Sequence, residues 1–501
     1  MTRSASSFEL ILPPRPEGTP SFQWVRNALR VEILSGRIRA GSRLPASREF
    51  ARQYHLSRGT IVAALEELQA EGYLEARRGS GTYVSETLPE HLLQTDEVSE
   101  AEASPAMQKV QLLSEFGQRV EPFTLYLKPE SRAFRTNLPA LDLFPTTLWA
   151  QVFSRRLRRA STRSLLGCEA QGYLPLRQAV AQYAHSSRGV SCSAEQVVIV
   201  SGIQEGLDLT TRLLLNPGDK VLMEDPGYQG AYAIFRGCGA RLVSARLDAE
   251  GAAPKESDFR KCRLFYVTPG HQYPMGMTMS LQRRLQLLSW AKTHETTIFE
   301  DDYDSEFRFA GRPLPAMQGL DRAGKVIFCG SFNKVMFPSL RMGYLVLPRH
   351  LVEVFAQTKA MTTRHHPLLD QAALCDFIEQ GHLGRHLRRM RKIYEERFSV
   401  LVASAREYLG EYLEISNIEA GLQTIGLFRQ TVSAELVAQR AAAEGIDVVP
   451  LDRFCHAAKV PEGVQIGFAG VDERAIVHGV KKLAEVFTQL KAEGLVGRGR
   501  E

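Results

Sequence analysis

Apolar residues recur at helical spacing near the start of the chain. Trp24, Val25, Ala28, Leu29, Ile33 and Leu34 precede Gly36, which predicts a helix with glycine as its stop. Pro45-Ala46-Ser47 opens a short second helix whose apolar side carries Phe50, Ala51 and Tyr54. After His55-Leu56, Ser57 stands where an N-cap belongs. Ile61, Val62, Leu65 and Leu68 then mark the buried face of a third helix running to about Glu71, with Gly72 behind it. Tyr73-Leu74-Glu75-Ala76 and Thr82-Tyr83-Val84 flank Arg77-Arg78-Gly79-Ser80-Gly81 and predict a hairpin with a glycine-rich tip. From about residue 132 the pattern changes. Short apolar runs, VVIV (197–200), KVLM (220–223), RLFYV (263–267), TIFE (297–300), KVIFC (325–329) and YLVL (344–347), alternate with helical stretches. That alternation predicts a mainly parallel sheet covered by helices on both faces.

Two helices joined by a short turn and followed by a hairpin form a winged helix-turn-helix pattern. In that reading the third helix enters a major groove with Ser57, Arg58, Gly59 and Thr60 leading, and Arg48 reaches a phosphate or a guanine edge. Gly79 and Gly81 let the wing backbone approach a minor groove beside Arg77 and Arg78. The competing reading is a small helical module with a solvated arginine surface.

Charge favours the first reading once it is divided along the chain. The whole chain of 501 residues carries only +6. Residues 21–85 hold ten arginines against six glutamates, a balance of +4, and residues 86–130 hold nine acids against three bases, a balance of −6. The acidic stretch is rich in Glu, Ser and Gln and poorly periodic, as a solvated linker is. Seven scattered cysteines form no CxxC pair and no metal-ligand spacing with histidine, so they predict small core residues of a reducing compartment and no metal site. No apolar run reaches the roughly 18 residues that span a bilayer, and MTRSASSFEL lacks the apolar region of a signal peptide. A cytoplasmic protein without membrane contact is the expectation.

In a parallel sheet the residues just after each strand form the site. After VVIV comes Ser201-Gly202-Ile203-Gln204, a glycine turn into a helix start, which suits a phosphate. After KVLM comes Glu224-Asp225-Pro226-Gly227-Tyr228. Glu300-Asp301-Asp302-Tyr303-Asp304 puts four acids at one strand end. After KVIFC come Gly330-Ser331-Phe332-Asn333-Lys334 and then Arg341. Each taken singly is an ordinary loop. Together they supply what pyridoxal phosphate requires: an amine for its aldehyde, an anion cup, a carboxylate for its ring nitrogen and a flat ring to lie on it.

The segment LPASREFARQYHLSRGTIVAALEELQAEGYLEARRGSGTYV (44–84) closely resembles the DNA-binding head of the GntR superfamily. The remainder resembles fold-type I aminotransferases, and above all the MocR/GabR-type regulators that join such a head to an aminotransferase-like body. The strings that carry this are LDLFP (141–145), QGYLPLRQAV (171–180), SGIQEGLDL (201–209), NPGDKVLMEDPGYQGAY (216–232), VTPGHQYPMG (267–276), EDDYDSEFRF (300–309), GSFNKVMFPSLRMGYLVLP (330–348) and GHLGRHLRRMRKIYEERF (381–398). The resemblance implies a winged-helix head over 20–85, an acidic flexible linker over 86–131 and a large α/β body with a smaller C-terminal α+β subdomain over 132–492. It implies a Schiff-base lysine at Lys334, Asp301 on the ring nitrogen, Tyr303 on the ring oxygen and Tyr228 stacked on the ring. Gly202, Ile203, Gln204, Ser331 and Arg341 would hold the phosphate.

The chain also departs from the aminotransferase pattern. Tyr273 stands where those enzymes carry an asparagine, Gly167 where many carry a tyrosine, Gln423 where a histidine is usual, and Gln465 where an arginine grips the substrate carboxylate. Arg453 is the candidate substitute for that arginine. The expected function is a DNA-binding, pyridoxal-phosphate-dependent transcription regulator, acting as a homodimer with one head over the partner's body. It would sense an amine, an amino acid or the cofactor itself through Lys334. The alternatives are an active aminotransferase tethered to a DNA-binding head, and a DNA binder without cofactor.

Overall fold

A computed structural model describes residues 13–77, 80–88, 113–120, 132–311 and 314–497. The chain divides into two compact units, Met1–Lys109 and Val110–Glu501. Arg78, Gly79 and most of the 86–131 segment lie outside the described residues.

The first unit has helices Ser21–Leu34, Ser47–Gln53 and Arg58–Ala70, then antiparallel strands Leu74–Arg77 and Gly81–Val84. Ser57 caps the third helix by accepting from the Thr60 amide at 3.1 Å, which satisfies one of the helix's first free N–H groups. The core gathers Val25, Leu29, Ile33, Phe50, Ile61, Ala64, Leu65, Leu68, Leu74 and Val84. Each large apolar side chain among them stabilises the unit by about 1.5–3 kcal/mol. The buried face of the third helix is Ile61, Ala64, Leu65 and Leu68, the i, i+3, i+4, i+7 set. Val62, expected on that face, lies beside it and is only half-buried. Leu34 is exposed at the end of its helix.

The second unit is built on a seven-stranded sheet. Its order is Val197–Val200, Gly343–Val346, Val326–Ser331, Thr297–Asp302, Cys262–Val267, Lys220–Glu224, Arg241–Ala245. Only Gly343–Val346 runs against the rest. Helices cover both faces over clusters centred on Phe328, Tyr344 and Leu374 and on Leu264, Tyr266 and Phe299. The edge strand Arg241–Ala245 escapes a pattern reading, because only Ala245 is fully buried and the segment has no apolar run. The 27-residue helix His382–Tyr408 leads to a smaller antiparallel sheet. That sheet joins Leu413–Ile415, Gln423–Phe428, Gly463–Gly467 and Val449–Pro450, with helices Ala434–Ala443 and Glu473–Ala492 packed on it. Among the described residues no helix is long and apolar enough to cross a membrane.

Register positions the site. Gly343 pairs with Val200 on one side and Ser331 on the other, so the starts of the Ser201, Ser331 and Arg341 segments share one end of the sheet. A methyl on Gly343 would sit 2.8 Å from the Gly330 carbonyl oxygen and 3.2 Å from the Gly202 Cα. Only a hydrogen fits between three backbones this close.

Candidate functional site

Lys334 follows the central strand Val326–Ser331 and is half-buried. Its Nζ donates to the carbonyl oxygen of Asn137 at 2.8 Å. Loss of hydration pulls its pKa from the usual 10.5 down to about 8, with Asp304 and Asp301 opposing and Arg341 adding to the fall. An amine in that range has a free-base fraction of about one-tenth at pH 7, far above that of an ordinary lysine, and is correspondingly more nucleophilic.

Asn137 is the centre of a small network. Its Nδ2 donates to the Tyr273 hydroxyl at 3.0 Å, and its own amide donates to the Gln423 Oε1 at 2.7 Å. Tyr273 donates on to the Gln465 Oε1 at 3.4 Å. The Tyr273 ring meets Tyr228, Tyr303 and Phe454 edge-on, with centroids 5.4–5.8 Å apart.

The four acids after TIF separate by function. Glu300 accepts from the Met317 and Gln318 amides at 2.8 and 2.9 Å, and Asp302 pairs with the buried Arg188. Asp304 holds the His271 Nδ1 at 3.0 Å. Asp301 accepts from the Tyr266 hydroxyl at 2.6 Å and has no cation of its own among the described residues. Burial raises its pKa to about 7, with Asp302, Asp304 and Glu224 adding to the rise. A buried carboxylate of this kind is suited to a cationic ring nitrogen. Tyr303 lies 3.0 Å from the same His271 nitrogen and stacks on that imidazole.

At the other side of Lys334, the helix Ile203–Leu214 starts after Gly202 with no side-chain cap. Its first amides and its dipole therefore face outward, as an anion requires. Gly202 has φ +122°, and a Cβ there would come within 2.8 Å of Asn333 Nδ2. Ser331 is buried alongside, and Arg341 holds a left-handed conformation at φ 50° that turns the chain back into the antiparallel strand. Glu205, in the first helical turn, could repel an anion. It is neutralised by the buried Lys359, and it also accepts from Thr363 at 2.8 Å and from the Ser201 amide.

Asp225, not singled out by the sequence, clasps the far loop. Its carboxylate accepts from the amides of His456, Ala457 and Ala458 at 2.7–2.8 Å and from Ser244 at 2.6 Å. The adjacent Gly227 amide donates to the Phe454 carbonyl at 2.9 Å, which fixes the Tyr228 turn against the small sheet. Asn137, Tyr266, His271 and Lys359 were likewise not singled out. His271 stood in plain view in VTPGHQYPMG and Tyr266 in the strand run just before it, while Asn137 and Lys359 lie away from the strand-end motifs.

The Arg453 guanidinium makes a forked pair with Glu435 at 2.8 Å on the surface, with 57% of its side chain exposed. In this arrangement Arg453 is the surface ion-pair partner of Glu435. Gly167 has φ +115°, and a Cβ there would lie 2.4 Å from His365 Nε2. A side chain there would need His365 to move and would be strained by the positive φ, and the position lines a cavity of about 510 Å³ with Arg163, Ser164, Cys168 and Tyr173.

In the head, Arg48, Ser57, Arg58 and Gly59 are exposed, and Thr60 is half-buried. The arginines sort by partner. Arg26 bridges to Glu67 at 2.7 Å and Arg37 to Glu32 at 2.7 Å, so both hold the fold. Arg48 and Arg58 have no ion pair among the described residues and stand available at the two helix starts. Arg77 lies over the Tyr83 ring at 4.7 Å. Gly81 has φ +117°, and a Cβ would meet Arg43 Nε at 3.0 Å.

Residues 134–483 match the aminotransferase class I and II family, and residues 23–84 match the gntR family of bacterial regulatory proteins. The chain is 38% identical to the probable rhizopine catabolism regulatory protein MocR of Rhizobium meliloti, over 97% of both chains. It is 28% identical to the HTH-type pyridoxine biosynthesis transcriptional regulator PdxR of Corynebacterium glutamicum, over 92% of this chain and 94% of that one. The solved structure of LysN, the α-aminoadipate aminotransferase of Thermus thermophilus complexed with N-(5'-phosphopyridoxyl)-L-leucine, shares its fold. The TM-score is 0.70 at 27% identity, over 76% of this chain and 98% of LysN. That fold implies pyridoxal phosphate as the cofactor. The chain belongs to the MocR-type regulators of the GntR family, in which a winged-helix head is joined to an aminotransferase class I and II body.

Proposed function

We propose that this regulator reads a small amine, an amino acid or pyridoxal phosphate itself through Lys334 and reports the result to operator DNA through its head. The observation that carries this reading is a desolvated, pKa-depressed lysine with an unpaired carboxylate on one side and an uncapped helix start on the other. These residues fit the cofactor. Lys334 would take its aldehyde, Asp301 its ring nitrogen, Tyr303 its ring oxygen, and Tyr228 would lie against the ring. Gly202, Ile203, Gln204, Ser331 and Arg341 would hold its phosphate. When bound, the cofactor supplies a reactive carbonyl on an electron-withdrawing ring.

The chain's own residues act around it. Asn137 orients the Lys334 amine, Tyr266 orients Asp301, and His271 with Asp304 orients Tyr303. Tyr273 packs between Tyr228, Tyr303 and Phe454, so a group that enters beside Lys334 displaces aromatic side chains tied through Gly227 and Asp225 to the 454–458 loop. Displacement there would change the relation of the two sheets of the body and so the placement of the linked heads. Arg48, Ser57, Arg58, Gly59, Thr60, Arg77, Arg78, Gly79 and Gly81 would contact DNA. The domain limits 20–85, 86–131 and 132–492 belong to the same proposal. So does a homodimer in the cytoplasm, which the exposed Leu165 and Leu166 (68% and 84%) beside the 510 Å³ cavity support.

The test is reconstitution of the full chain with pyridoxal phosphate. A visible absorbance band is expected, absent in Lys334→Ala, together with a change in DNA affinity when effector is added. A second reading, a true aminotransferase, is favoured by the intact Lys334, Asp301 and Tyr303 set. Sustained product over many turnovers with a keto acid would support it; a single half-reaction or none supports the regulator.

A further inference from the structure

The 86–130 stretch is acidic and poorly periodic, but Leu113, Phe116 and Val120 within it recur at helical spacing. Residues Glu115–Arg119 form a short helix there, with Ser114 accepting from the Gly117 amide at 3.2 Å and Glu115 pairing with Arg119 at 2.7 Å. This helix lies on the body, at the C-terminal end of the helix Gln229–Gly237. Two glycines make the seat. A Cβ on Gly237 would lie 3.1 Å from Phe116 Cε2, and one on Gly239, which has φ +81°, would lie 2.6 Å from Arg119 Nη1. The Phe116 ring therefore rests on bare backbone. The Arg119 guanidinium sits just past the last turn of Gln229–Gly237, where the helix dipole is negative. Phe116 stays 48% exposed, so the contact holds without being locked into a core.

The other end of the same helix belongs to the candidate site. Tyr228 is its N-cap, and the Tyr228 carbonyl accepts from the Ala231 and Tyr232 amides at 3.1 and 3.2 Å. A Cβ on Gly230 would come within 2.3 Å of Gln204 Nε2 and 2.5 Å of Tyr228 Cζ. The first turn therefore touches both the residue proposed to lie on the ring and one proposed to hold the phosphate. Phe235, fully buried near the helix end, meets the Tyr266 ring edge-on at 6.3 Å, and Tyr266 holds Asp301. Nine residues at about 1.5 Å each make a stiff strut roughly 14 Å long. Close packing leaves it no slack, so a move of Tyr228 or Gln204 is taken up by the strut and passed to the glycine seat.

We propose that residues 113–120 are a clip that ties the linker to the state of the candidate site. Phe116 and Arg119 hold the seat at Gly237 and Gly239, and the helix Gln229–Gly237 couples that seat to Tyr228. This rests on the reading of Lys334 as the cofactor lysine and names a contact by which that site reaches the linker. Coupling is reciprocal: a filled pocket tightens the clip, and a lost clip weakens the pocket by the same factor.

The experiment uses the full chain and pyridoxal phosphate, with affinity read from the visible band and amide hydrogen exchange followed at residues 115–119. In the wild type, pyridoxal phosphate is expected to slow exchange at those amides by about fivefold or more. Phe116→Ala is expected to weaken pyridoxal phosphate by about the same factor. Phe116→Leu keeps an apolar side chain on the seat and is expected to stay within about twofold of the wild type. Should Phe116→Ala lose its cooperative melting transition, Arg119→Glu is read in its place. It puts an anion at the negative end of the helix and is expected to weaken the cofactor likewise. Exchange at 115–119 that does not respond to the cofactor overturns the proposal, as does unchanged cofactor affinity in the folded variant. Absence of the visible band in the wild type instead overturns the reading of Lys334 beneath it.

Discussion

The Lys334 amine is held 2.8 Å from the carbonyl oxygen of Asn137, a residue 197 positions earlier in the chain. Asn137 adopts a left-handed conformation at φ 63°, which few side chains tolerate as well as asparagine. One residue thereby fixes the lysine, the Tyr273 hydroxyl and Gln423 at once. This arrangement holds the amine at the end of the central strand.

The first prediction concerns that amine. Its folded pKa, about 8, lies below the usual 10.5, so the neutral form gains weight as pH rises through 8. The rate at which added pyridoxal phosphate produces the visible band should climb from pH 6 to about 8 and then level. A continued climb toward pH 10 would show that the surroundings do not depress it.

Asp301 gives a stability prediction. Its pKa rises on folding from 3.8 to about 7, so the folded carboxylate is neutral where the unfolded one is charged. Its penalty is absent below the unfolded value, grows as pH rises between about 4 and 7 and is complete above 7. The cost is of order 4 kcal/mol at pH 8. Asp301→Asn should therefore melt at higher temperature than the wild type without cofactor, with the gap widening between those pH values. Added pyridoxal phosphate should stabilise the wild type and not the variant.

The proposed phosphate cup is tested at Gly202. A methyl there sits 2.8 Å from Asn333 Nδ2 and forces a left-handed alanine. Gly202→Ala should weaken pyridoxal phosphate by at least tenfold while leaving affinity for pyridoxal, which has no phosphate, within about threefold.

Much of this was legible in the sequence, and the reasons differ by element. In the head the helical spacing, the Ser57 cap and the glycine at the turn are local signals, and the elements they predict agree with the structure to within a few residues. In the body the six apolar runs are strands because a sheet buried on both faces needs continuous apolar segments. The edge strand Arg241–Ala245 has one exposed side and gives no such signal. The acids at 300–304 read as one cluster but serve four partners: alternation sends Asp301 to the face opposite Glu300 and Asp302, and Asp304 lies beyond the strand end. Asn137, Tyr266 and Asp225 act through long-range contacts, which no spacing rule encodes.

The head makes a separate prediction. Arg58, exposed at the start of the third helix with no ion pair among the described residues, is free to meet a phosphate or a base. Arg58→Ala should weaken DNA binding at least tenfold and lower the salt dependence by about one counterion if it contacts phosphate. The cofactor band should be unchanged.

The most direct test is the affinity of the full chain for the DNA preceding its own gene, with and without pyridoxal phosphate and an amine, in the wild type and in Lys334→Ala. A change of at least fivefold in the wild type and none in the variant is predicted. An equal response in both proteins, or no response in the cofactor-loaded wild type, would contradict the account.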